Sequence, residues 1–215
     1  MAKSYYSKMG ILMSNTAKKI IRCKKDVIIL IIEATKYLTY SDKIDFSHCT
    51  DELVVKIDKM NRLFFKIENK IFSVNFPFCI ELNESCDQIQ RFYYNEFTID
   101  NRILSQLSEI FDQVTNEFSF EETLDIIFQN EDLYENLKNL WAIIKLLYTN
   151  ECGYLRYDYD PNPERLREGI HPLHHLDINY STPNTYKIGL QNNLSLEDFI
   201  DVVDTTTNCY ILRAC

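Results

Sequence analysis

The sequence predicts an α+β fold: helix-rich N-terminal and central regions with a β-hairpin, packed on a small antiparallel sheet. Three observations predict it. Apolar residues recur at helical spacing in two long stretches, 14–40 and 103–147. Between them, "RLFFKIENKIFSVNFPFCIEL" from Arg62 is rich in β-branched and aromatic residues. Three of the four glycines and four of the five prolines then fall between Gly153 and Gly189, the mark of short strands joined by turns.

In chain order, Ser14 to Tyr40 suits one helix with Ile20, Val27, Ile31 and Leu38 on its apolar face. A hairpin is expected near 62–76, with Glu68-Asn69 as its turn. Pro77, lacking an N–H donor, ends its second strand or puts it at an edge. Helical signals return at 86–150, where Ile103, Leu107, Ile110, Phe111 and Val114 share one face. Ser119 and Glu122 have capping-box spacing and open a short helix through Phe128. Leu133, Leu137, Leu140, Trp141, Ile144 and Leu147 then form a stripe that reads as core. Near the end, Ser195 and Asp198 cap a helix carrying Leu196, Phe199, Ile200 and Val203, and Cys209–Cys215 suggests a last strand. The expected organisation is a mainly helical region, 1–150, and a small antiparallel α+β unit, 151–215, or one continuous domain.

A net charge of −9 argues against generic nucleic-acid binding, which draws its affinity from cations neutralising phosphates. Any such contact must be local. The first 26 positions hold seven basic residues, among them Lys18, Arg22, Lys24 and Lys25, against the single Asp26. Lysines on a helix usually form its solvated face, although a basic segment can also bind an anionic partner. Seven cysteines scattered singly, an odd number without a C-x-x-C pair, read as reduced and therefore cytoplasmic. The apolar run 27–32 is far too short to span a bilayer, and no signal-peptide pattern opens the sequence, so no membrane association is expected.

The segment "GYLRYDYDPNPERLREGIHPLHHLDINYS", from Gly153, carries three of the four histidines within five positions. Strand side chains alternate between faces, so Arg156 and Asp158 share a side, as do His171, His175 and Asp177 on the next extended stretch. An antiparallel meander with a third strand at 186–190 would gather Arg156, Asp158, His175, Asp177 and Lys187, with His171 and His174 at the start of the second strand. Such a group suits phosphodiester cleavage. Histidine exchanges protons near neutral pH, an aspartate fixes its tautomer, and Arg or Lys stabilises developing phosphate charge. RNA is the expected substrate of a cofactor-free version, because its own 2′-hydroxyl supplies the nucleophile. A divalent metal is the alternative: His175 and Asp177 offer two ligands from one strand face, with His171 or Asp158 as a third. The third reading is a sheet edge whose charges satisfy one another. P-loop, G-x-S-x-G, H-E-x-x-H and zinc-finger patterns are absent.

Arg156-Tyr157-Asp158 followed by His171-Pro172-x-His174-His175-x-Asp177 resembles the R-Y-D and H-P-H-H signature of the TumE-like toxins of prokaryotic toxin–antitoxin modules. It is also similar to a related uncharacterised prokaryotic family. The resemblance covers about 40 residues. It implies a toxin or anti-phage defence effector, acting on RNA beside a cognate antitoxin or defence-operon protein, and it carries over Arg156, Asp158, His171, His174 and His175. This chain departs from the pattern in its longer, charged spacer and its large N-terminal region. Two other classes stand beside it: a metal-dependent enzyme, and a non-catalytic subunit binding protein through hairpin aromatics such as Phe64, Phe65, Phe72 and Phe76.

Overall fold

The computed structural model describes residues 3–41, 46–57, 60–85, 88–115, 119–167, 170–181 and 183–211. Its centre is a seven-stranded sheet, antiparallel throughout. β1 (Lys3–Lys8), β2 (Glu52–Ile57), β3 (Arg62–Ile67) and β4 (Lys70–Asn75) lie in chain order, followed by β8 (Leu155–Tyr159), β9 (His174–Ile178) and β10 (Tyr186–Leu190). The anticipated hairpin is β3–β4. Glu68 adopts a positive φ of 41° at its turn, and β4 stops two residues before Pro77. The expected small polar sheet is the far end of this larger one, because β4 pairs with β8 across 150. A separate three-stranded sheet holds β5 (Cys79–Leu82), β6 (Ile89–Tyr94) and β7 (Phe97–Thr98).

The main sheet buries both faces. On one, Leu53, Val55, Leu63, Phe65, Phe72 and Val74 join a core with α2 (Lys24–Leu38), α3 (Asn101–Gln113) and α6 (Leu137–Thr149). On the other, Val54, Phe64, Ile71, Leu155, Tyr157 and Leu176 pack against α7 (Leu196–Val203). α1 (Ile11–Lys18), α4 (Phe120–Phe128) and α5 (Glu131–Glu135) complete the helices of the described residues. Phe64, Phe65, Phe72 and Phe76 are all buried, so the hairpin aromatics serve the core and are closed to a partner. Each fully buried phenylalanine contributes roughly 1.5–3 kcal/mol of transfer free energy.

Three expectations are corrected. The single helix over 14–40 is broken at Lys19–Cys23, because the Asp26 carboxylate accepts the backbone N–H groups of Arg22 and Cys23 and starts a new helix. Ile20, assigned to the apolar face, is consequently 65% exposed in the break. The helical reading of 86–150 fails at its start: the alternating "IQRFYYNEFT" forms β6 and β7 around Asn95, whose φ is 52°. The anticipated last strand falls on 209–215, of which 209–211 are not extended into a sheet and 212–215 lie outside the described residues.

Both expected capped helices form. Ser195 and Asp198 exchange the reciprocal bonds of a capping box. Ser119 accepts from the Glu122 N–H, but the Glu122 carboxylate turns instead to Thr115, tying α4 to the end of α3.

Candidate functional site

Register decides which side chains meet. β8 and β9 place Arg156 opposite Asp177 and Asp158 opposite His175, and β9 and β10 place Asp177 opposite Lys187. Strand alternation puts all five on one face, while Leu155, Tyr157, Leu176, Ile178, Ile188 and Leu190 turn to α7. Phe72 pairs with Arg156, so the polar group shares the face of the large helical core and lies at its margin.

The contacts form one connected network. Arg156 donates from Nε to Asp158 Oδ2 at 2.8 Å and from Nη2 to Asp177 Oδ2, and Nη2 also lies within ion-pair distance, 2.7 Å, of Asp158 Oδ2. Lys187 Nζ donates to Asp177 Oδ1 at 2.6 Å. His175, 1% exposed, sets its Nδ1 2.9 Å from the Pro172 carbonyl. A carbonyl only accepts, so Nδ1 carries the ring proton and Nε2 a lone pair. That buried Nε2 has no hydrogen-bond partner among the described residues, and it stands 3.6 Å from Asp158 Oδ2. Gly189, paired with His175, leaves room for Pro172: a Cβ there would lie 3.1 Å from Pro172 Cγ.

Charge follows from this geometry. Burial lowers the His175 pKa and the nearby Lys187 ammonium lowers it further, outweighing the Pro172 carbonyl, Asp177 and Asp158. The ring is therefore neutral at pH 7. For Asp177, burial alone would raise the pKa, but Lys187 and Arg156 overcome it and hold the carboxyl below its ordinary value. Arg156 shows the same contest with opposite charge: burial would lower its pKa, and Tyr154, Asp158 and Asp177 raise it instead.

Two clefts meet at Arg156. The first, about 730 Å³, is lined by Arg22, Lys24, Lys25 and Arg156, with Tyr148 and Tyr180, and no carboxylate lines it among the described residues. Lys24 and Lys25 donate to the carbonyls of Asn150 and Val114, just beyond α6 and α3. The second, about 280 Å³, combines Lys18, Lys70, Arg156 and Arg165 with Glu68, Asp158 and Asp160. Lys70 makes no ion pair among the described residues; burial lowers its pKa, and Arg156 adds to the effect.

Of the seven residues read from the sequence, Arg156, Asp158, His175, Asp177 and Lys187 form the network, and His171 adjoins it with its ring centroid 4.6 Å from that of His175. His174 is separated. It points to the other face, hydrogen-bonded to Tyr157 at 2.8 Å and stacked on Tyr159. The sequence reading missed Lys70, because β4 meets β8 only through a pairing of distant segments. It also took the basic N-terminal run for a solvated helix face, whereas the α1–α2 break turns that run into a wall of the first cleft. Among the described residues no helix is long and apolar enough to cross a membrane. No protein-family model, curated protein or solved structure matches the chain.

Proposed function

We propose that the protein is an RNA-cleaving effector of a prokaryotic toxin–antitoxin or anti-phage defence system, acting in the cytoplasm and held in check by a cognate partner protein. One observation carries the reading: a chain of net charge −9 concentrates Arg22, Lys24, Lys25 and the ion-paired Arg156 around one cleft that no carboxylate lines among the described residues. That is the electrostatic footprint of a polyanion, and the cleft adjoins a buried imidazole and two carboxylates. The R-Y-D and H-P-x-H-H-x-D resemblance supplies the biological setting.

In this reading the cleft seats the RNA backbone. Arg156 and Lys187 offset charge developing on the phosphate. His171, partly exposed and edge-on to His175, exchanges the proton of the 2′-hydroxyl. His175, Asp158 and Asp177 form the centre against which the phosphate is placed. The test is cleavage of single-stranded RNA by wild-type protein, His171→Ala and His175→Ala, with folding checked by circular dichroism. A positioned acid or base contributes roughly 10²–10⁴-fold, so each variant should lose at least about 100-fold. Equal cleavage by wild type and both variants would remove the reading.

A second reading, a protein-binding subunit without catalysis, is favoured by a different observation. An apolar cleft of about 640 Å³ lies between β9–β10 and α7, lined by Ile178, Ile188, Leu190 and Val202 with the exposed Tyr210 and Ile211. A catalytically silent wild-type protein whose partner binding is lost on Ile188→Asp would favour it.

A further inference from the structure

The Asp158–His175–Asp177 group contains something that ion pairing does not explain. Arg156 and Lys187 satisfy the two carboxylates, yet they leave the His175 imidazole with an acceptor nitrogen that is buried, without a partner among the described residues and directed at an acceptor oxygen. Two lone pairs facing each other at 3.6 Å are unfavourable unless a positive centre lies between them. Water-excluded orphans of this kind are rare in folded proteins, and here a second one adjoins the first: His171 Nδ1 is also buried without a partner among the described residues.

We infer that His175 Nε2 and one oxygen each of Asp158 and Asp177 bind a divalent transition-metal cation of the Mn²⁺, Fe²⁺ or Zn²⁺ class. The three donor atoms lie within 4.8 Å of one another. Ligands sharing such a cation at about 2.0–2.2 Å stand roughly 3.0–3.4 Å apart, so the imidazole and Asp158, at 3.6 Å, are almost in place, and Asp177 lies within 4.8 Å of both. One imidazole with two carboxylates suits these cations better than Ca²⁺ or Mg²⁺, which favour all-oxygen shells. The outer contacts are already those of a metal site. The Pro172 carbonyl holds the His175 tautomer that leaves Nε2 free, and Arg156 and Lys187 orient the carboxylates.

Arg156 and Lys187 also compete with the metal, since both bind the oxygens it would use. Binding should therefore be moderate in the wild type and tighter when one of these cations is removed. The inference does not depend on RNA cleavage: a metal site without nuclease activity would leave it standing, and a cofactor-free nuclease would overturn it alone.

The experiment uses the full chain stripped with a chelator, dialysed, and titrated with Mn²⁺ followed by electron paramagnetic resonance and with Zn²⁺ followed by calorimetry. The expected result is one equivalent per chain, at least about tenfold weaker binding in His175→Ala and in Asp158→Asn, and tighter binding at the same stoichiometry in Lys187→Met. Should His175→Ala not fold, Asp158→Asn carries the comparison, since that side chain is partly exposed. Absence of stoichiometric binding by folded wild type overturns the inference, as does wild-type affinity in Asp158→Asn or in Lys187→Met.

Discussion

Two arginines are drawn into the same sheet, one on each face, and their surroundings differ in a way that separates support from chemistry. Arg62 on β3 is 7% exposed and, among the described residues, meets only neutral groups: Ser73 Oγ at 3.1 Å, Asn75 Oδ1 at 2.6 Å and the Gly153 carbonyl. Burial among neutral acceptors lowers its pKa to about 10. Gly153 is part of the arrangement, since its φ is +52° and a Cβ would come within 2.8 Å of Asn75 Nδ2 and 3.0 Å of Arg62 Nη1. Arg156 on β8 meets two carboxylates and retains its charge firmly. Among the described residues the Arg62 network leaves no buried side-chain polar atom of its members orphaned, whereas the Arg156 network includes a buried imidazole nitrogen without a partner. Satisfied buried networks fix a fold; an unsatisfied one persists where something else selects for it.

The sharpest way to break this comparison is to remove each arginine's network in turn. Arg62→Ala should be the most destabilising change, by about 3–4 kcal/mol. It removes a buried stem and strands the Asn75 and Gly153 oxygens, and each buried unsatisfied group costs roughly 1–3 kcal/mol. Denaturant unfolding gives the loss, and RNA cleavage per folded molecule should be unchanged. Asp177→Asn should cost less, about 2 kcal/mol, because Arg156 and Lys187 are partly exposed and recover some hydration. Its effect on metal binding and on cleavage should nevertheless be large. If Arg62→Ala abolishes activity in well-folded protein, the separation of roles fails.

The Arg156 face should also give stability a pH slope that the Arg62 face lacks. His175 has a folded pKa below its ordinary value near 6.5, so between these two values the unfolded chain binds more protons than the folded one. Stability is then fully present above about pH 6.5 and is lost as pH falls toward the depressed folded pKa. One such group gives at most about 1.4 kcal/mol per pH unit. Asp177 acts lower, since its folded pKa is depressed: its contribution is present above the unfolded carboxyl pKa and is lost as pH falls through the folded one. Urea titrations from pH 7 to pH 5 should show the upper slope in wild type and its loss in His175→Gln. An unchanged slope would assign it to another group.

These contrasts were legible in the sequence only where they are local. The period-2 pattern of 154–160 and 171–179 assigns Arg156, Asp158, His175 and Asp177 to one face, because side-chain direction in a strand needs no knowledge of the partner. The hairpin at 62–76 was readable for the same reason, its two strands being joined by a two-residue turn. What the neighbours contribute was not readable. β8 lies against β4 rather than forming the edge of a small independent sheet, and this long-range pairing places Lys70 opposite Asp158. The α1–α2 break was hidden because the apolar spacing continues through it. The decisive interaction is Asp26 bonding backwards to the Arg22 and Cys23 N–H groups, a local competition that helical periodicity does not register. The consequence is large, since the break carries Arg22 and Lys24 to the cleft beside Arg156.

The smallest expected effect concerns His174, which motif reading groups with His171 and His175 and which the strand directs to the opposite face. Its ring lies between Tyr157, hydrogen-bonded at 2.8 Å, and Tyr159, with a centroid separation of 5.2 Å from the latter. Removing it should forfeit one neutral hydrogen bond and part of a stacking contact, about 1 kcal/mol in all. His174→Ala should therefore unfold at slightly lower denaturant concentration while keeping the metal stoichiometry and cleavage rate of the wild type. The neighbouring His175→Ala should do the reverse, losing metal and cleavage whatever its stability. Two adjacent histidines with opposite phenotypes would show that strand alternation, rather than membership of a histidine-rich motif, decides which imidazole takes part. Equal losses from both would mean that the α7 face belongs to the site as well.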